Sequence, residues 1–186
     1  MKGVLAKMRL LRLGEAGTAA VEFALVLPVM LMLYIGSVEV TGLISVDRKL
    51  QSAAGSLGDL VARSDTTITA ATLKDYFKAA GGIMTPNPVA GLRQVVTQVQ
   101  VLADGTTKVV WSRQSLNGTY STGPHAVNAA FPLPVAMVNI AKGKYVIVAE
   151  GYYDYTPLSG FAFNQTVNLY RENYFMPRFG GSITLN

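Results

Sequence analysis

The longest apolar stretch in the chain is TAAVEFALVLPVMLMLYIGSVEVTGLISV, residues 18–46, in which Glu22 and Glu39 are the only charged side chains. A helix needs about 20 mainly apolar residues to cross the hydrocarbon layer, so this stretch predicts a transmembrane helix. Pro28 inside it lacks a backbone donor and predicts a kink. Beyond the span the pattern changes from uniform to periodic. Leu43, Val46, Leu50, Ala53, Leu57 and Leu60 recur every three or four residues through a polar background, which extends the helix as an amphipathic stem over residues 47–63. The polar run from Arg63 to Thr67 marks its end, and a rod over residues 18–63 would be about 70 Å long at 1.5 Å per residue.

After the stem, ITAATLKDYFKAAGG predicts a short helix that stops at Gly81 and Gly82, followed by a TPNPVAG loop. Alternation then predicts four strands: residues 92–102, 108–111, 144–155 and 166–176. The first two flank Asp104-Gly105, a hairpin signal. Residues 115–139, rich in Gly, Pro, Asn and Ser, read as a long connection with one helical turn. The predicted fold is therefore α+β, a long N-terminal transmembrane and stem helix packed on a small antiparallel sheet of about four strands. The implied organisation is a leader over residues 1–17, the span over 18–46, the stem extension over 47–63 and an α+β domain over 64–186.

Charge adds an orientation. Only 15% of the 186 residues are charged, with a formal net charge of +5. The leader carries Lys2, Lys7, Arg9 and Arg12 against Glu15, which leaves 12 basic and 10 acidic residues after Gly17. The basic excess is thus mostly a leader and not a nucleic-acid surface, and it predicts a cytoplasmic N-terminus with the C-terminal domain in the periplasm. Arg48 and Lys49 beyond the span are an opposing vote of two against four.

No cysteine and one histidine, His125, argue against thiolate or multi-histidine metal sites, and no cofactor is expected. No phosphate loop or nucleophile motif stands out, so no enzymatic activity is expected. His125 reads as an exposed structural residue, and Tyr152, Tyr153 and Tyr155 as strand packing.

The residues at the edge of the span, Gly17-Thr18-Ala19-Ala20-Val21-Glu22-Phe23, resemble a type IV pilin precursor. The wider GTAAVEFALVLPVMLMLYIGSVEVTG is similar to the TadE-like proteins of the tight-adherence (Tad, Flp) pilus system, with Glu39 and Gly42 extending the likeness. That resemblance covers the first quarter of the chain. It implies cleavage by a prepilin peptidase between Gly17 and Thr18 and a pilin-like fold. It also implies a register contact from Glu22, beside Phe23, to the new Thr18 amine in the same or a neighbouring chain. An intramembrane carboxylate costs about 2.5–3.5 kcal/mol on insertion scales and so invites a partner. The plainer alternative is a Glu22 hydrated in the headgroup region. Glu39, flanked by Gly36 and Gly42, is either a second helix-packing contact or a hydrated residue at the periplasmic interface.

The function so implied is that of a minor pilin or pseudopilin of the inner membrane that helps assemble, initiate or cap a Tad pilus. Its partners would be other pilins, the Tad inner-membrane machinery, the prepilin peptidase and lipid, with no nucleic acid. An uncleaved, anchored Tad assembly subunit and a generic anchored periplasmic binding module are the alternatives.

Overall fold

In the computed structural model, backbone is described for residues 2–157, 160 and 164–186, and side chains from Gly17 onward. The first element is a single 61-residue helix, α1 (Lys2–Ala62), which continues through Pro28. The described residues form two compact units, one built on α1 up to Gly42 and one running from Leu43. In the first unit every described side chain over residues 17–35 is exposed, Phe23 at 63% and Tyr34 at 67%.

The second unit opens with the stem half of α1 and continues with β1 (Thr67–Ile68) and α2 (Ala70–Gly82). Helix α2 starts where Thr69 Oγ1 accepts a hydrogen bond from Thr72 N at 3.1 Å, a side-chain N-cap. Then come β2 (Leu92–Val101), β3 (Thr107–Leu116), β4 (Thr119–Thr122), α3 (Val135–Ala141), β5 (Tyr145–Tyr155), β6 (Val167–Phe175) and β7 (Thr184–Leu185). Five strands form one antiparallel sheet in the order β4-β3-β2-β5-β6, and β1 pairs with β7 in a separate parallel pair.

The Asp104-Gly105 signal marks a real hairpin between β2 and β3. Asp104 Oδ1 accepts from Thr106 N at 2.8 Å and from Thr106 Oγ1 at 2.7 Å, and Gly105 supplies a φ of 90°. Those bonds hold the Asp104 carboxyl below its ordinary pKa, the backbone bond contributing most. Further along, Gln98 faces Trp111 while Val99 faces Val109, so Val110 is an extra residue on β3, a β-bulge. Trp111 Nε1 donates to Ile183 O at 2.7 Å, and Gln98 Oε1 accepts from Ile183 N at 2.8 Å, tying the C-terminal segment to the sheet.

The sheet has five strands, not about four. Strand β3 runs on to Leu116, and β4 follows it inside the segment expected to be irregular. Asn117 (φ 51°) and Gly118 (φ 79°) make the two-residue turn, with Leu116 registered on Thr119. Positive φ at both central residues is the geometry that Asn-Gly favours in tight hairpins.

The periodic stem residues form the core as their spacing predicts. Val46, Leu50, Ala53 and Leu57 are buried, joined by Ala54 and Val61, while Leu43 and Leu60 are half-buried. Leu57, Val61 and Ala62 pack with Leu73 and Phe77 of α2, Val96 and Ile147 of the sheet, and Trp111. Val46, Leu50 and Ala53 pack with Met84, Leu92 and Tyr153. Two glycines allow this close approach. A Cβ on Gly58 would run into the Phe175 ring and Ala149, and one on Gly151 would press on Leu50. On the opposite face, Val99, Val109, Val146 and Val148 pack under Phe131 and Ala141.

Trp111, the single tryptophan, reports unfolding of this core. Leu57→Ala should lower the unfolding free energy by about 2–5 kcal/mol in urea denaturation followed by Trp111 fluorescence. Gly58→Ala should cost about 1–3 kcal/mol by overpacking, and Phe175→Leu in the same chain should recover part of that loss.

Candidate functional site on the N-terminal helix

The residues singled out at the edge of the apolar span lie on consecutive turns of α1. Thr18 and Glu22 are four residues apart, which places them on one face, and both are exposed, as is Phe23. An ionised carboxylate accepts hydrogen bonds and pairs with cations, and it offers an apolar helix nothing else. The chemistry available at this position is therefore electrostatic pairing.

Around the glycines the helix surface is open. A Cβ added at Gly17 or Gly36 meets nothing within 4 Å, so no contact inside the described structure requires a glycine at either position. Gly42 is half-buried. Glu39 stands apart from Glu22 because it is only 4% exposed. Two hydroxyls near Glu39, those of Ser37 and Thr41, are satisfied by the helix itself. Ser37 Oγ donates to Tyr34 O at 2.7 Å and Thr41 Oγ1 to Ser37 O at 2.8 Å. Hydroxyls bonded back to the preceding turn carry little cost in lipid.

The sheet holds a second polar cluster that sequence patterning did not anticipate. Glu150 on β5, 2% exposed, accepts from Tyr152 Oη at 2.7 Å through Oε1 and lies 2.7 Å from His125 Nε2 through Oε2. Tyr170 Oη is 3.3 Å from the same Oε1 and donates to Glu172 Oε2 at 2.7 Å. The Tyr152 and Tyr170 rings are 4.8 Å apart, and the Arg93 guanidinium lies 3.9 Å over the Tyr152 ring. Burial first, then the Glu172 hydrogen bond, pushes the Tyr170 phenol above its ordinary pKa.

His125 is thus not the exposed, unpartnered residue that its neighbours in sequence imply. Its side chain is 27% exposed, it is paired with Glu150, and its ring edge meets Phe131 at 4.8 Å. Together with Asn128 N to Val109 O (2.8 Å) and Phe131 N to Thr107 Oγ1 (3.0 Å), the pair pins the irregular segment across the sheet. Only three-dimensional pairing reveals this, since His125 and Glu150 are 25 positions apart. The aromatic run behaves as strand packing: Tyr153 is in the core and Tyr152 stacks across to Tyr170.

The architecture is that of an α+β protein whose long N-terminal helix has the length and composition to cross a membrane. The qualifying part lies within Gly17–Ala62, and its most apolar stretch is wholly unburied. Residues 17–56 match the family model described as TadE-like protein, the family that the GTAAVEF motif resembles, so this segment is TadE-like. A TadE-like segment points to association with a Tad pilus, and the apolar helix points to membrane anchoring. No curated protein and no solved structure matches the chain.

Removing the buried carboxylate should be felt in the segment it holds. Glu150→Ala strands His125 and the Tyr152 hydroxyl, neither of them fully buried, and should cost about 1–3 kcal/mol. His125→Ala should cost about 1–3 kcal/mol. Limited proteolysis should show faster cleavage within residues 123–131 in both variants.

Proposed function

We propose that this protein is a minor pilin or pseudopilin of a Tad (Flp) pilus, processed by a prepilin peptidase after Gly17 and held in the inner membrane by α1. The leader stays on the cytoplasmic side and the unit from Leu43 onward faces the periplasm, following the basic residues ahead of the span. Its role is assembly: the helix packs with those of other pilins and of the Tad inner-membrane machinery, and helps to initiate or cap the filament. The observation that carries this reading is an exposed carboxylate, Glu22, on an otherwise apolar exposed helix within the TadE-like segment.

Cleavage after Gly17 would create a positive amine on Thr18, one turn from Glu22. In lipid, pairing that amine with Glu22 of the same or a neighbouring helix relieves the cost of an isolated carboxylate. Between neighbouring helices the pair also selects one axial register, because a shift of a single turn along the helix breaks it. Gly36 is a further position for helix contact on the same span, offering a close approach for a second backbone. No catalytic step is needed for this role.

Glu22→Gln should insert into the membrane and be processed as the native chain is, yet cross-link to other pilin subunits about tenfold less, the equivalent of one lost charge-assisted bond. Glu22→Asp, with its charge kept and its reach shortened, should fall between the two. The measurement is in-cell cross-linking from the helix together with pilus counts. Wild-type assembly by Glu22→Gln would return the glutamate to a hydrated headgroup residue.

A further inference from the structure

Strand β4 is the last strand of its sheet among the described residues, and helix α2 lies beside it over a groove. The groove has a volume of 760 Å³, within the range of about 300–1,000 Å³ typical of binding pockets. Its walls are mainly apolar, supplied by Phe77 of α2, Leu92 of β2, Val89 of the preceding loop and Tyr120 of β4. The floor is closed by Gln94, whose amide, in the orientation that satisfies both groups, donates to Phe77 O at 2.9 Å and accepts from Gly81 N at 3.1 Å.

Two features of the groove, its lysines and its strand edge, point to an occupant, and Tyr120 fixes one wall. Tyr120 Oη is buried with no hydrogen-bond partner among the described residues, although its ring is well packed, 6.0 Å from Phe77 and with Lys74 Nζ 5.4 Å above its centroid. Lys74 and Lys78, one turn apart on α2, line the groove against one acidic residue, Asp75. The edge of β4 presents main-chain donors and acceptors to whatever lies alongside it.

We propose that this groove takes an extended peptide segment of a partner protein, added as a further strand on β4. Alternate side chains of that segment would fall between β4 and α2. Strand addition explains the free edge and the groove together, because main-chain bonds give affinity while the pocket selects every second side chain. The lysines select an acidic residue, the apolar walls an aromatic or large aliphatic one, and the two stand two positions apart on the incoming strand. None of this depends on the role given to Glu22, so either reading can fail alone.

The test uses the full chain in lipid nanodiscs and a fluorescein-labelled, capped pentapeptide, Thr-Phe-Thr-Glu-Thr, read by anisotropy with empty nanodiscs as the blank. Saturable binding with a Kd below about 1 mM is expected. Replacing Phe by Ala or Glu by Lys in the probe should raise the Kd about tenfold, as should Lys78→Glu or Val89→Asp in the protein. Trp111 fluorescence confirms that each variant is folded. Methylating the central amide nitrogens of the probe should abolish binding. The proposal is overturned by absence of saturable binding, by equal binding to both groove variants, or by equal binding of the methylated probe. Competition by 3-phenylpropionate as effective as that of the peptide would also overturn it, since the groove would then be a small-molecule site.

Discussion

Between residues 17 and 38 α1 exposes a nearly continuous apolar surface, and removing that surface from water is the constraint on which this protein depends. At about 25 cal/mol for each Å² of apolar area, a helix of this kind is stable only in lipid or against other helices. Its backbone is suited to both, because an α-helix bonds its own amides and carbonyls and needs no water to do so. Ser37 and Thr41 extend the same economy to their hydroxyls by bonding to the preceding turn. What remains is the carboxylate of Glu22. In an apolar medium its charge needs a cation or hydrogen-bond donors, and the proposed cation is a new amine at Thr18. The proposed assembly role is a consequence of that imbalance.

From Leu43 onward the same helix obeys the opposite rule, with one apolar stripe buried and the rest polar. The stripe is satisfied by the chain's own sheet through close contacts at Gly58 and Gly151, where any side chain would hold the surfaces apart. A polar tie supports the packing: Arg171 of β6 pairs with Asp47 of the stem. Burial on the far face is narrower. There Glu150 takes the place of an apolar residue and is compensated by His125 and the tyrosine hydroxyls, which binds the irregular connection to β5.

Much of this was legible in the sequence because the relevant signals are local and periodic. The uniform apolar run, the three-and-four spacing from Leu43 to Leu60 and the alternation around Asp104-Gly105 each specify an element without reference to distant residues. The missing strand was signalled as well. Asn117-Gly118 is a tight-hairpin dipeptide, but β4 is only four residues long, polar, and without the alternation that marks a half-buried strand. The Val110 bulge and the His125–Glu150 pair had no such signal. Each depends on which residues the folded sheet brings opposite one another, and a bulge shifts every later side chain by one face. At the helix, sequence identified Glu22 and Gly17 as anomalies of type and position, and the burial that distinguishes Glu39 from Glu22 emerged only in three dimensions.

The account turns on whether Thr18 becomes an N-terminus. Intact-mass and N-terminal peptide analysis of the protein purified from native membranes measures this directly. A mature chain beginning at Thr18 supplies the amine that Glu22 requires, and this is the predicted result. A native chain that retains residues 1–17 would contradict it, leaving the helix as a plain anchor and Glu22 without the partner on which the assembly role rests.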